Sequence, residues 1–299
     1  MFGTRDDFDY LECGLCGCIQ ILVIPPNLGD YYRKDYYAFR SIRHSGRIRT
    51  FFRMVWASHH LYKPNIIGFL LTLIYGEADF FKWVKSSGLT FTSSILDVGS
   101  GNGGLLVGMS TCGFVDLTGV DPFIESDMTH PRGVRILKRD VADIEGQYDL
   151  VMSHHSIEHV PDPIQFLKEL RRLVKPTGTV LVRTPLASSW AWEHYGTDWV
   201  ALDAPRHLFI QTDRSMRIVA EKAGLAIERV VWDSTAFSIW ASELYRRDIP
   251  LNHAAFGAQK AIEAIFSRTD LRRFSRMAAK LNSERRGDAA AFYLKQRDA

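Results

Sequence analysis

The chain is short of apolar runs that could cross a bilayer. Its most apolar stretch, Ile66 to Tyr75, has ten residues and contains Gly68 and Thr72, against the roughly 20 that a spanning helix needs. A buried helix is expected there. An in-plane interfacial helix is the alternative, because Arg47, Arg49, Arg53 and Lys63 lie close by in sequence and could meet lipid phosphates. Charge of one sign is also scarce: 37 Lys and Arg stand against 34 Asp and Glu, a formal net charge of +3. That balance gives no ground for nucleic acid as the main partner. Cysteine is sparse too. Of the four, Cys13, Cys16 and Cys18 are crowded together, a pattern of metal knuckles or their remnants rather than of a disulfide framework. The first residues carry Asp6 and Asp7 where a signal peptide would be basic and apolar, so a cytoplasmic setting is expected. With 46% hydrophobic residues in 299, a folded chain with a substantial core is expected.

The most informative stretch is Ser94-Ile95-Leu96-Asp97-Val98-Gly99-Ser100-Gly101-Asn102-Gly103-Gly104. It reads as a buried parallel strand, a glycine turn and the start of a helix. Such a turn lets backbone approach a ligand, and the helix N-terminus behind it presents free N–H groups. Gly99, Gly101 and Gly104 also satisfy the G-x-G-x-x-G dinucleotide fingerprint, with Asp121 near the spacing of a ribose acid. At this point a nicotinamide and another adenosine cofactor both remain open.

In chain order, residues 1–25 read as a partial zinc-ribbon-like hairpin around Cys13-x-x-Cys16. Zinc at Cys13 and Cys16 needs four ligands, and with Cys18 as a third the set is incomplete, so a metal-free hairpin is the stronger expectation. Residues 26–90 read as a helical cap that opens with the aromatic run Tyr31 to Phe39, whose rings suit a core and a pocket equally. Residues 91–233 alternate short apolar runs with helices, the pattern of a doubly wound parallel α/β sheet. Strands are expected at 94–98, 116–121, 134–138, 148–153, 178–184 and 226–232. Helices are expected at 103–111, in a short segment near Ser126, at 163–174 and at 213–223. Residues 234–287 read as a helical insertion whose arginines, Arg268 to Arg286, suit a solvated face. Residues 288–299 read as a final strand returning to the sheet.

Five motifs in register resemble the class I S-adenosylmethionine-dependent methyltransferases: Ile95 to Gly103, Gly119-Val120-Asp121-Pro122, Asp140-Val141, Tyr148 to Val160, and Lys175 to Val182. The half-ribbon, the Asp203-Ala204-Pro205-Arg206-His207 segment and the last strand are similar to a bacterial small-molecule subgroup with cysteine-bearing N-termini. The resemblance implies a Rossmann-like sheet, mostly parallel with the last strand antiparallel. It implies S-adenosylmethionine as cofactor, with Asp97, Gly99, Gly101 and Gly103 at its amino acid tail and sugar, Asp121 at the ribose, Asp140 and Val141 at the adenine edge, and Ser153 at the end of the fourth strand. The expected partner is a small-molecule methyl acceptor, such as a sugar or a cell-envelope or secondary-metabolite precursor.

A hydroxyl or carbon acceptor needs a general base, and histidine suits neutral pH. His154, His155, His159, His194 and His207 are all expected in loops at the carboxyl ends of strands, where open α/β sheets bind ligands. His155, His159 and His207 rank highest as catalytic candidates. His155-Ser156-Ile157-Glu158-His159 also matches H-x-x-E-H, but it leads into Val160-Pro161-Asp162-Pro163, which breaks a helix. A peptidase is therefore disfavoured and no metal residue is assigned; metal assistance by Glu158 and His159, resembling the E-x-x-E-H site of some O-methyltransferases but with His155 in place of its first Glu, is the lesser alternative. Base methylation would call for an Asn or Asp-Pro-Pro-aromatic box or a nucleophilic loop cysteine, and neither is present. An NAD(P)-dependent oxidoreductase and a non-catalytic binding subunit are the rival classes.

Overall fold

A computed structural model of the chain describes residues 6–32, 42, 46–251 and 262–297. Arg33 to Phe39 of the aromatic run and residues 252–261 of the expected insertion lie outside the described residues. Along the chain run β1 (Tyr10–Glu12), β2 (Ile19–Ile21), α1 (Arg47–Leu61), α2 (Ile66–Tyr75), α3 (Asp79–Ser86), β3 (Ser94–Val98) and α4 (Gly104–Thr111). Next come β4 (Asp116–Val120), β5 (Met128–Thr129), β6 (Arg135–Leu137), β7 (Tyr148–His154), α5 (Pro163–Leu173) and β8 (Val174–Pro185). The remainder is α6 (Trp190–Tyr195), β9 (Phe209–Ile210), α7 (Asp213–Lys222), β10 (Leu225–Trp232), α8 (Ala236–Arg246), α9 (Arg268–Ser283) and β11 (Ala289–Gln296). The chain divides into two compact units, one of Met1–Tyr37, His155–Leu167 and Val182–Leu294, the other of Ala38–His154, Lys168–Leu181 and Lys295–Ala299.

The second unit carries the sheet order β8-β7-β3-β4-β6-β5. Parallel ladders join β3 to β4, with Asp97 opposite Gly119, and β3 to β7, with Val98 opposite Ser153. Ile95, Leu96, Asp97 and Val98 are all buried, as expected of a parallel strand covered on both faces. From β3 the chain moves outward through β4 and β6, then returns to β7 on the other side, so β3 and β7 flank a switch point where α/β sheets take their ligands. The segment near Ser126 is turn and bend rather than the expected helix. Asp121 Oδ1 accepts from Phe123 N at 2.9 Å and Asp127 Oδ1 accepts from Lys138 N at 2.7 Å, which pins the segment at both ends and leaves no room for a helical turn.

In the same unit α2 is helical over the expected residues but is not buried. Ile66, Leu70, Leu73 and Ile74 are exposed, while Gly68 and Thr72 form the side against α1. Gly68 admits the close approach: a Cβ there would stand 2.2 Å from that of His59. Expecting burial from apolarity alone was wrong here because the helix packs through its smallest residues.

The first unit holds β1-β2-β9 as an antiparallel three-stranded sheet and the strands β10-β11-β8. Leu186 N donates to Asp288 O and Asp233 N donates to Ala289 O, so the start of β11 lies at the far ends of β8 and β10. The last strand is antiparallel, as expected. Helix α7 starts on a reciprocal cap between Thr212 and Ser215 and is followed by Gly224 at φ 75°, the left-handed position glycine fills after a helix. Helices α8 and α9 bury Ile239, Leu244, Phe274 and Ala278 in a core of their own.

Candidate active site

The glycine turn of the second unit is built by backbone that only glycine adopts easily. Gly99, Gly101 and Gly103 have φ of 79°, 52° and 80°, all in the left-handed region. Gly99 N and Ser100 N both donate to Val120 O, at 2.8 and 3.1 Å, and Gly101 N donates to Asp121 Oδ2 at 2.9 Å. The turn is thus clamped to the end of β4, and Asp121 is the clamp. Gly103 is the N-cap of α4, and a Cβ on it would stand 2.3 Å from Ile136 Cδ1.

Asp97 is buried with no hydrogen-bonding or cationic partner among the described residues. Burial, and then the charge of Asp121, push its carboxyl up to about 7. A cation brought beside it would lower that cost, which is what the ammonium end of an amino acid tail supplies. At the neighbouring strand end Ser153 Oγ is buried without a hydrogen-bond partner. These two orphaned groups fit a polar ligand at the turn. Asp140 is exposed, and its Oδ1 accepts from Ala142 N at 3.0 Å to cap the single turn Val141–Asp143. Arg172 holds that turn from outside by donating to Ile144 O at 2.7 Å.

The three favoured histidines come together in the first unit. Glu158 is fully buried, and Thr184 Oγ1 donates to its Oε2 at 3.0 Å. His155 Nδ1 lies 3.3 Å from the other oxygen, an ion-pair distance, while Arg183 Nη1 stands 2.7 Å from His155 Nε2. Because guanidinium only donates, Nε2 of His155 accepts and its proton sits on Nδ1. His155 itself has φ 53° and is held there by donating its backbone N–H to Arg183 O at 2.8 Å.

His159 Nδ1 is 2.9 Å from Arg206 O, and His207 Nδ1 is 2.7 Å from Ala201 O. Each carbonyl can only accept, so both rings carry the proton on Nδ1 and keep an Nε2 lone pair. Burial pushes both imidazoles down to about 4, so they are neutral at physiological pH. Glu158 is pushed up by its burial, the largest influence on it, but the hydrogen bond and charge of His155 and the charges of His207 and His159 outweigh this and hold it at about 2. Among the described residues, Glu158, His159 and His207 form a group whose ligand atoms all lie within 4.8 Å of one another.

The loop that carries His207 is set by a buried ion pair between Arg206 and Asp203. Arg206 N also donates to Asp203 O at 2.9 Å. Tyr10 Oη donates to His207 O at 2.9 Å, Leu208 N donates to Glu158 O at 2.7 Å, and Tyr32 Oη lies 3.2 Å from His159 Nδ1. Burial pushes the Tyr32 hydroxyl up to about 12.

Comparison with known proteins bears on this geometry. A family model described as a methyltransferase domain matches residues 78–230, just over half of the chain. The chain belongs to that family, within the class I S-adenosylmethionine-dependent methyltransferases. Among curated proteins it is similar to the ubiquinone biosynthesis O-methyltransferase of Sodalis glossinidius, 32% identical over 138 residues, covering 41% of this chain and 54% of the relative. The protein of the same name from Pseudomonas aeruginosa strain UCBPP-PA14 is 28% identical over 169 residues, covering 50% and 71%. The chain thus spans about half the length of the first curated relative it matches. Among solved structures it is similar to the cyclopropane synthase MmaA2 from Mycobacterium tuberculosis, at 19% identity and TM-score 0.46, with 73% and 84% of the two chains covered.

Other residues named from the sequence lie outside this cluster. His194, expected in a strand-end loop, sits on α6, exposed and stacked on Trp190 at 4.3 Å; the run Trp190–Tyr195 is helical because Ser189 accepts from Trp192 N. His154 ends β7 and stacks on Trp83 at 4.4 Å. The three N-terminal thiols are free and are not part of the ligand group. Cys13 N instead donates to Cys18 O and Gly17 N to Cys13 O, at 2.9 and 2.7 Å, so backbone bonds close the hairpin. Tyr32 comes from the aromatic run that suits a pocket as well as a core, whereas Tyr10 and Thr184 reach the cluster through long-range contacts that no local pattern marks.

Proposed function

We propose that the protein transfers a methyl group from S-adenosylmethionine to an oxygen of a small-molecule acceptor, in a cytoplasmic setting. The observation that carries the reading is the pair of buried, neutral imidazoles, His159 and His207, each with Nδ1 committed to a backbone carbonyl and Nε2 open. The names of the curated relatives support oxygen as the acceptor atom, and a phenol or a sugar hydroxyl is the class to test. Asp97 would hold the cofactor's ammonium end, Gly99, Gly101 and Gly103 its tail and sugar, Asp121 the ribose, Asp140 and Val141 the adenine, with Ser153 a further cofactor contact.

Bound S-adenosylmethionine supplies a methyl already activated by its sulfonium, so the protein's task is placement and proton removal. Held at the turn, the cofactor would give up that methyl to the acceptor oxygen, its sulfur keeping the electrons of the carbon–sulfur bond. The hydroxyl proton passes to an open Nε2, His207 first among the candidates. The nearby carboxylate of Glu158 stabilises the imidazolium that forms, and Arg206 and Asp203 keep the His207 loop in place.

The spacing of Glu158, His159 and His207 favours a second reading of the same three side chains, as ligands of a divalent cation. One carboxylate and two imidazoles suit zinc or another first-row metal. The two readings separate by experiment. Methyl transfer is followed by mass spectrometry as a gain of 14 Da across phenols, nucleotide sugars and glycolipid precursors, with S-adenosylhomocysteine affinity measured in parallel. His207→Gln is expected to spare that affinity and reduce turnover. Absence of S-adenosylhomocysteine binding to the native protein would overturn the transfer reading, and loss of turnover on chelation, restored by added metal, would favour the cation.

A further inference from the structure

Helix α2 is inside out for a helix bathed in water. Ile66 is 80% exposed, Leu73 70% and Ile74 71%, and Ile67, Phe69 and Leu70 share the same side. The opposite side, Gly68 and Thr72, packs on α1, where His60 Nε2 lies 2.8 Å from Thr72 Oγ1. A helix normally turns its apolar stripe to the core, and a contiguous exposed apolar patch marks an interaction site. Helix α1 also exposes Ile48, Phe51 and Phe52, of which Ile48 and Phe52 line one cavity with Leu71 and Tyr75 of α2.

The side-chain charge carried by α1 and α2 themselves is of one sign, with Glu77 and Asp79 coming only after α2 ends and Glu77 lying 3.7 Å from His60. Between Asp35 and Glu77 the sequence contains no carboxylate side chain, whereas Arg47, Arg49 and Lys63 are exposed along α1 and its end. Beside them a cavity of about 1130 Å³ has Arg47, Arg49 and Arg53 on its lining together with Phe52, Trp56 and Tyr75. Guanidinium groups next to apolar and aromatic walls suit an amphiphile whose head is anionic. A second copy of the chain docking face to face would bring like cations together, whereas lipid phosphates complement them. The ten residues of α2 rise only about 15 Å, half the hydrocarbon thickness, and no helix among the described residues is long and apolar enough to cross a membrane.

We propose that α1 and α2 form a monotopic docking surface for a bilayer containing anionic phospholipid, with α2 lying in the interface plane and the arginines at headgroup level. The inference rests on no step of the transfer reaction and is tested by binding alone. The full chain is floated with vesicles of phosphatidylcholine, with and without phosphatidylglycerol. Flotation with the phosphatidylglycerol vesicles is expected, weakened at high salt as charge is screened. Leu73→Glu with Ile74→Glu is expected to weaken partitioning at least tenfold, and Arg47→Glu with Arg49→Glu to remove the preference for the anionic lipid. These positions are exposed, and unchanged circular dichroism and S-adenosylhomocysteine affinity verify the fold. No flotation by the native protein, or flotation that the Leu73 and Ile74 changes leave intact, overturns the proposal. A native dimer without lipid that the same changes convert to monomer also overturns it, in favour of a second copy as the occupant.

Discussion

Protonation of His207 should cost this protein stability below neutral pH, a loss separable from the opposite effect of Asp97, whose raised carboxyl takes up its proton in the folded state. The ring is buried, its Nδ1 donates to Ala201 O at 2.7 Å, and burial holds its pKa at about 4 against an ordinary 6.5. The groups facing it are Glu158 and Asp203, which favour its protonation, and Arg206 and His155, which oppose it; the His159 ring lies 4.7 Å away. Since the folded pKa is the lower one, the unfolded chain binds the proton first. The contribution of His207 to stability is therefore full above pH 6.5 and is lost as pH falls from 6.5 toward 4. Between pH 7.5 and pH 5 the ring moves through about 1.5 units in which only the unfolded state is protonated, which costs about 2 kcal/mol.

The assay is urea unfolding at a series of pH values in that window, for the native protein and His207→Gln. Glutamine removes the titration, so the native curve should fall more steeply by about 2 kcal/mol between pH 7.5 and pH 5, whatever the two proteins' difference at pH 7.5. The carboxylates are common to both and cancel. Imidazole resonances followed by NMR report the same quantity directly. Parallel pH curves for the two proteins, or a His207 resonance titrating near 6.5, would refute the reasoning.

Asp121→Ala removes both the acceptor for Gly101 N and the expected ribose acceptor, and isothermal titration with S-adenosylhomocysteine should show affinity lowered on the order of tenfold; an unchanged titration removes Asp121 from the site. Gly103→Ala places a Cβ against Ile136 and demands φ 80° of an alanine, so thermal unfolding should show a loss of about 2 kcal/mol or more, and a native-like melting temperature would mean the turn relaxes freely. Thr184→Val leaves Glu158 Oε2 buried without its donor, with an expected loss of about 1–3 kcal/mol and a raised Glu158 pKa; stability equal to native would show that the hydroxyl is not needed.

What could be read in advance was whatever local pattern encodes. The strand at Ser94–Val98, the glycine turn and the helix after it form one continuous signal, in which an apolar run, three glycines at positive φ and a helix start agree with one another. The end of α7 at Gly224 and the antiparallel last strand were legible for the same reason. The chemistry of the histidine cluster was legible only in part. The residue types at 155, 159 and 207 mark candidate bases, yet which nitrogen stays open is decided by the carbonyls of Arg206 and Ala201, and the charge on Glu158 by His155 and the other imidazoles around it. The Arg206 carbonyl lies 47 residues from His159 in sequence, and none of these partners carries a periodicity that would announce it. Helix α2 marks the clearest limit. Its composition predicts a helix correctly, but apolarity sets only that the residues avoid water, not what covers them. Gly68 and Thr72 decide which side meets α1, and with that side taken, the isoleucines and leucines are left exposed among the described residues.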